Sequence, residues 1–242
     1  MNASDGHGLE RSREQGLAVL TLAKPPRNLL DPELMATIRA AVLEADADPG
    51  VEAIVLAGTG ATFCGGLDIE RIQAGADPVD FASGLVDLLR IFPTLGKPVL
   101  AAVAGDALAS GYALVCVADI AIAADHVRIG TVEAGVGIWP MIAQVAPLQR
   151  LHPRHALENL LTGEPFDARR AREVGIVNAV VGADELWTEV RRWAKLSVGA
   201  GKALAAGRRS FYRFLDLSYD EALTASLEEF RNMFTGTERG ST

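Results

Sequence analysis

Short, almost wholly apolar runs separated by helical stretches occupy the first three-quarters of the chain, and this alternation limits the fold more than any other feature. The runs are LAVLTLA (17–23), VEAIVLAG (51–58), PVLAAVAG (98–105), DIAIAA (119–124) and VRIGTVE (127–133). Their β-branched content and length suit buried strands. Between the first two, Asp31-Pro32-Glu33 opens a helix. Asp31 serves as N-cap, Pro32 fits the first turn, and Leu34, Ile38, Ala41 and Val42 recur at helical spacing. Strands alternating with helices specify an α/β body rather than a bundle or a sandwich. Beyond about residue 140 helical patterns take over, with one short strand at IVNAVV (176–181). The expected division is a flexible polar tail over 1–16, an α/β core over 17–190 and a helical C-terminal subdomain over 191–242.

Charge and cysteine usage exclude several classes. With 23 basic and 31 acidic residues the formal net charge is −8, a surface that repels nucleic acid and anionic membranes. Two cysteines, Cys64 and Cys116, lie in apolar surroundings and read as reduced, buried thiols. The N-terminal residues lack the apolar segment of a signal peptide and the acid-poor pattern of a transit peptide. Val99 to Val117 is long enough to span a bilayer, but it contains Asp106 and follows Pro98, so it reads as a core segment. The expectation is a cytoplasmic protein.

Several motifs come close to known chemistry and fall short. Gly58-x-Gly60 follows a strand, but Phe63 stands where a dinucleotide fingerprint needs glycine. His152, His155 and Glu158 share a helix face, yet Pro153 and neighbouring arginines mark a solvated helix start rather than a metal site. Ser110 lacks the preceding glycine of a nucleophile elbow, and Cys64 has no activating base nearby. No metal is expected.

Three stretches carry more information. ATFCGGLDI (61–69) places a glycine pair between a strand and a helix, and GDALASGYA (105–113) is a second tight loop leading into a helix of small residues. GTVEAGVGIWP (130–140) sets one carboxylate, Glu133, among glycines and apolar residues. Glycines let a backbone approach a ligand closely, and free N–H groups at a helix start favour negative charge.

In their order and spacing, these stretches resemble the enoyl-CoA hydratase/isomerase (crotonase) superfamily. The resemblance extends from LTLAKPPRNLLDPEL (20–34) through AAVAGDALASGYALVCVADIAIAAD (101–125) to LLTGEPFDARRAREVGIVNAVV (160–181). It implies an α/β fold built as a spiral of ββα repeats with a helical trimerisation subdomain, and a substrate that is an acyl-CoA thioester. It implies no separate cofactor, because coenzyme A belongs to the substrate, and assembly as a homotrimer or a dimer of trimers. It places two backbone N–H donors for the thioester oxygen at Gly65 and Ser110, and makes Glu133 the catalytic acid/base. Ser110 replaces the family's usual glycine, which a main-chain donor tolerates if its dihedral angles permit. Lys24, Arg27, Cys64, Gly66, Leu67, Asp68, Gly111 and Trp139 are the expected substrate and CoA contacts. Arg208, Arg209 and Arg213 are further candidates to reach the CoA chain.

One departure bears on the reaction. Hydratases of the family carry a second glutamate, and its position here is Ala113. A lone carboxylate suits isomerisation, in which one group lifts a proton from C2 and returns it at C4. The expectation therefore leans to 3-enoyl to 2-enoyl-CoA isomerisation in fatty-acid or related acyl-CoA metabolism. A 2-enoyl-CoA hydratase with a divergent acid/base pair and a non-catalytic acyl-CoA-binding protein are the alternatives. Asp106 is a candidate auxiliary acid, or a cap for the helix that starts at Ser110. Val132, Val136, Ile138 and Trp139 are expected to surround Glu133 with apolar bulk.

Overall fold

Each apolar run becomes a strand covered on both faces, in a computed structural model that describes residues 3, 4 and 6–235, side chains at 3, 4, 202, 234 and 235 excepted. The chain runs β1 (Ala3–Ser4), β2 (Leu9–Glu14), β3 (Leu17–Leu22), α1 (Pro32–Ala47), β4 (Ala53–Gly58), β5 (Thr62–Cys64), α2 (Ile69–Gln73) and α3 (Pro78–Ile91). It continues with β6 (Val99–Val103), β7 (Asp106–Leu108), α4 (Ser110–Val117), β8 (Ile120–Ala124), β9 (Arg128–Gly130) and a 3-10 turn at Glu133–Val136. Last come α5 (Val145–Leu148), α6 (Pro153–Thr162), β10 (Phe166–Asp167), α7 (Ala168–Glu173), β11 (Ala179–Val181), α8 (Leu186–Ser197), α9 (Leu204–Leu215) and α10 (Tyr219–Thr235). No helix among the described residues is long and apolar enough to cross a membrane.

Two sheets result. The larger has the order β1-β2-β3-β4-β6-β8-β11, parallel from β3 onward, and the smaller has the order β10-β9-β7-β5, with β5, β7 and β9 parallel. Successive repeats send their first strand (β4, β6, β8) to the large sheet and their second (β5, β7, β9) to the small one. This is the ββα spiral that the resemblance implies.

The period-2 alternation of strands explains why the runs look uniformly apolar. Leu17, Val19, Ala53, Val55, Leu100 and Ile122 face α8, whose Leu186, Val190 and Ala194 repeat every four residues. Ala18, Leu20, Ile54, Leu56, Ala101 and Val103 face the main core with α1, α3 and α4. The seating of α8 on the sheet corrects the expected domain boundary, since a division at 190/191 would cut through this helix.

The expected tail over 1–16 is also corrected. Leu9 is fully buried, and Leu9–Glu14 pairs antiparallel along all of β3. Its remaining residues are charged or polar because the strand lies toward the sheet's edge. Residues 1, 2, 5 and 236–242 of the expected tail and C-terminal subdomain lie outside the described residues.

A buried polar knot ties α9 to the sheet. Arg208 is 8% exposed. Its Nε meets Asp119 Oδ2 at 2.8 Å and its Nη1 donates to the carbonyls of Phe92 (2.8 Å) and Leu95 (2.7 Å). Asp119 also accepts from Val99 N and from the Tyr212 hydroxyl. Arg150 caps the far end of α4 by donating to the carbonyls of Cys116 and Ala118. Cutting one partner from a buried pair strands the other charge. Arg208→Met is therefore expected to lower unfolding free energy by about 3 kcal/mol, read by urea denaturation.

Candidate active site

The spiral brings the carboxyl ends of β5, β7 and β9 side by side, and the three informative stretches are the loops that leave those ends. This is where open parallel sheets place their ligands. Ala109 N–H donates to Gly130 O at 3.0 Å, so the second and third loops are joined at their roots. The first and second loops touch directly. A Cβ on Gly111 would lie 2.1 Å from Cys64 O, which no side chain tolerates. Gly66 has φ +97°, and a Cβ there would fall 2.6 Å from Ala109 Cβ and 3.4 Å from Ser110 N. Both glycines are required by this approach.

The hydrogen bonds within the first loop correct one expected donor. Gly65 N–H is spent on Arg27 O at 2.8 Å. Gly66 N–H bonds Cys64, and Asp68 N–H donates to Leu30 O at 2.9 Å. Among the described residues Leu67 N–H is left without an acceptor, because the Leu30–Leu67 bridge uses only the groups on either side of it. The free amide of this loop is thus at Leu67, not Gly65. In the second loop Ser110, 3% exposed, begins α4, and its N–H has no carbonyl one turn earlier to bond. Ala109 before it adopts φ +52° and ψ −121°, a conformation costing a non-glycine residue about 1–3 kcal/mol and found where function requires a particular backbone aim.

Glu133 opens the 3-10 turn and is half-buried, its Oε2 accepting from Val132 N–H at 2.9 Å. The apolar bulk expected around it is not assembled within this chain. Val136, Ile138 and Trp139 are 73%, 49% and 41% exposed because the turn carries them outward. Trp139 lies on this surface, its indole donating to Gln144. Ala113 is fully buried and presents only a methyl group.

The remaining expected residues divide. Asp106 is neither an auxiliary acid nor a cap for α4. It starts β7, at the end away from Ser110, and accepts from Arg128 N–H at 2.8 Å. Cys64 is completely buried beneath its loop, so it contacts no ligand, and burial pushes its thiol up to about 12. Cys116 is raised to about 12 by the same cause. Lys24 pairs with Asp31 and stands 3.8 Å from Asp68, which caps α2 through Arg71 N–H. Arg27 is exposed and pairs with Glu70. Arg208 is locked in the knot described above, which removes it as an expected CoA contact, while Arg209 donates to Thr94 O and Arg213 pairs with Glu229 at the surface. His152 caps α6, and His155 lies 3.5 Å from Glu158.

Two asparagines that sequence reasoning did not assign support the site. Asn28, fully buried at φ +49°, donates to the carbonyls of Thr59 and Thr62 at 3.0 and 2.6 Å, and accepts from Lys24 N. It fastens the Lys24–Asn28 turn, whose Arg27 carbonyl holds Gly65, to the strand that leads into the first loop. Asn159 does the same for the third loop. Its signal in the sequence is an amide on the buried stripe Ala156, Asn159, Leu160 of an otherwise amphipathic helix.

A family model described as enoyl-CoA hydratase/isomerase matches residues 12–241. The chain belongs to the enoyl-CoA hydratase/isomerase family. Among curated relatives, the probable enoyl-CoA hydratase echA8 of Mycobacterium bovis is 32% identical over 235 residues, covering 92% of this chain and 88% of that protein. The probable enoyl-CoA hydratase echA17 of Mycobacterium avium is 29% identical over 233 residues, covering 95% and 91%. A crystal structure of enoyl-CoA hydratase from Mycobacterium smegmatis superposes with a TM-score of 0.87 at 30% identity, over 93% of this chain and 91% of that one. A family protein from Silicibacter pomeroyi gives 0.88 at 26% identity, over 94% and 98%. This member of the enoyl-CoA hydratase/isomerase family is accordingly an enzyme of the hydratase or isomerase type.

Two outcomes follow from the groups around the loops of this family member. At about pH 8 both thiols stay protonated and covered, so iodoacetamide should label Cys64 and Cys116 only in denaturant, as read by mass spectrometry. Asp31 is raised by burial, but the Lys24 hydrogen bond, the Leu34 N–H and the Lys24 and Arg71 charges outweigh this and hold its carboxyl below the ordinary 3.8. Its stabilising contribution is present above that value and is lost as pH falls through the lower folded value. Asp31→Asn should therefore be less stable than the parent at neutral pH, and the difference should close in acid denaturation below about pH 4.

Proposed function

We propose that this enzyme shifts the double bond of an acyl-CoA thioester from the 3- to the 2-position, with Glu133 as sole proton carrier. The Leu67 and Ser110 amides receive the thioester oxygen. Glu133 takes a proton from C2, and the C–H electron pair moves into a dienolate whose oxygen the two amides stabilise. Glu133 then returns the proton at C4, leaving the double bond at the 2-position. Fixed donors aimed at a developing oxyanion contribute about 3 kcal/mol each in comparable sites. The observation carrying this reading is that the loops bearing the Leu67 and Ser110 amides leave the same sheet end as the loop bearing Glu133, the second and third joined by Ala109 N–H to Gly130 O. Ala113 offers a methyl where a second acid would stand, and Asp106 is engaged at the opposite end of β7.

Arg27 and Lys24 flank the first loop, and their carboxylate partners would be exchanged for CoA phosphates on binding. Apolar residues on the outer faces of α9 and α10, among them Phe211, Leu223, Leu227 and Phe230, are about half exposed, and this supports self-association as a homotrimer. A second reading, hydration of a 2-enoyl-CoA, draws support from the relatives, which are named as probable enoyl-CoA hydratases.

Paired 3-enoyl- and 2-enoyl-CoA series separate the two readings. Isomerisation predicts consumption of the 3-enoyl series with gain of conjugated-thioester ultraviolet absorbance, and little 3-hydroxyacyl product from the 2-enoyl series. Glu133→Gln should cost on the order of 10²–10⁴ in kcat with the fold intact. Efficient hydration by the parent protein would assign the second reading instead.

A further inference from the structure

Asn159 belongs to a helix outside the three loops, yet three of its four side-chain hydrogen bonds are directed at Thr131, in the segment bearing Glu133. Asn159 is 1% exposed on the inner face of α6. Its Oδ1 accepts from Thr131 N at 2.7 Å and from Thr131 Oγ1 at 3.1 Å. Its Nδ2 donates to Thr131 O at 3.1 Å and to Glu164 O at 2.9 Å. Two donor hydrogens and two acceptor positions are thus all used, which is the condition under which a buried amide is tolerated. The side chain grips Thr131 on both its N–H and its C=O, as a neighbouring strand would.

The second of those grips reaches the acid. Thr131 C=O and Val132 N–H belong to one planar peptide, so fixing the direction of the carbonyl fixes that of the N–H. That N–H is the donor held by Glu133 Oε2 at 2.9 Å. One chain of contacts therefore runs from Asn159 Nδ2 through a single peptide plane to the carboxylate. Hydrogen bonds in such a chain polarise and align one another. The end of the same helix seals the turn from below. Gly163, whose N–H bonds Asn159 O at 2.8 Å, packs so closely that a Cβ on it would lie 3.0 Å from Gly135 N and 3.1 Å from Ala134 Cβ.

We infer that Asn159 is the positioning residue for Glu133, setting the direction of its carboxylate through the Thr131–Val132 peptide. The inference rests on the proposed role of Glu133 as proton carrier. Asn159 touches no substrate; it acts on where the carboxylate points, and hence on kcat rather than on thioester binding.

The test compares Asn159→Leu, branched at the same carbon as asparagine but unable to bond, with Glu133→Gln and with the double variant, each confirmed folded by circular dichroism. Asn159→Leu is expected to lower kcat by about 10- to 100-fold, with KM for the acyl-CoA within about threefold of the parent. The double variant is expected to match Glu133→Gln alone, because a residue that acts only through the carboxylate has nothing to add once that group is gone. A purely structural role would instead reduce activity by the same factor in both backgrounds, and this overturns the inference. So does a folded Asn159→Leu with the parent's kcat while Glu133→Gln is impaired. Full activity of Glu133→Gln would overturn the proton-carrier reading, and the inference with it. Should Asn159→Leu fail to fold, Asn159→Asp, which keeps the acceptor for Thr131 N–H but loses the Nδ2 donor to Thr131 O, decides. A loss of about threefold or more in kcat at unchanged KM supports the inference, and no change overturns it.

Discussion

The active-site corner depends on two segments from successive repeats lying closer together than side chains would allow. At Gly111 against the Cys64 carbonyl, and at Gly66 against Ala109, the backbones themselves are in contact. This approach leaves the Leu67 and Ser110 amides side by side and unpaired, while the amides around them find partners in Arg27, Leu30 and Cys64. A buried N–H without an acceptor is costly, and native structures leave few of them. Two such free amides on adjoining loops, one of them following a backbone turn that alanine adopts only under strain, are what the proposed role as thioester-oxygen donors requires.

Polar side chains that stand in for backbone do most of the holding. Asn28 binds two carbonyls of the β4–β5 connection and returns an acceptor to Lys24, and Asn159 pairs with Thr131 as a strand would. The short strands of the small sheet, two or three residues each, supply too few ladder bonds to fix their loops alone. The first and third loops are instead tied at their roots by a side-chain amide from elsewhere in the chain, and the second by Ala109 N–H to Gly130 O. The stiffness needed for catalysis is thereby separated from the length of the strands that carry it.

Much of the fold was legible because strands buried on both faces leave an unmistakable apolar trace, as at 53–58 and 99–103. Leu9–Glu14 was not, since only Leu9 reports burial and the charged remainder looks like any solvated tail. The three loops were legible as glycine-marked breaks, and Glu133 as a carboxylate among them. Which amide in the first loop is free was not. Gly65 and Leu67 differ only in whether Arg27 and Leu30, on a turn forty residues earlier or thereabouts, bring up carbonyls, and that is settled by tertiary contacts. Asp106 and Arg208 misled for the same reason. A charged residue in an apolar setting signals that it has a partner, without saying whether the partner is a substrate or, as here, Arg128 N–H and Asp119.

The arrangement also limits how one carboxylate can serve two carbons. In the proposed isomerisation, a proton lifted from C2 and delivered to C4 stays on one face of the substrate while the acid swings a short way. The enolate oxygen must meanwhile stay fixed so that charge does not wander from the donors. Here the proposed donors are main-chain groups whose loops are held together by glycine contacts. The acid is on a 3-10 turn whose outer half is exposed and whose inner end is gripped by α6. Rigidity sits on the side where charge accumulates, and the small remaining freedom on the side where the proton travels. A second acid at position 113 would divide that labour; in the proposed isomerisation the methyl of Ala113 leaves all of it to Glu133.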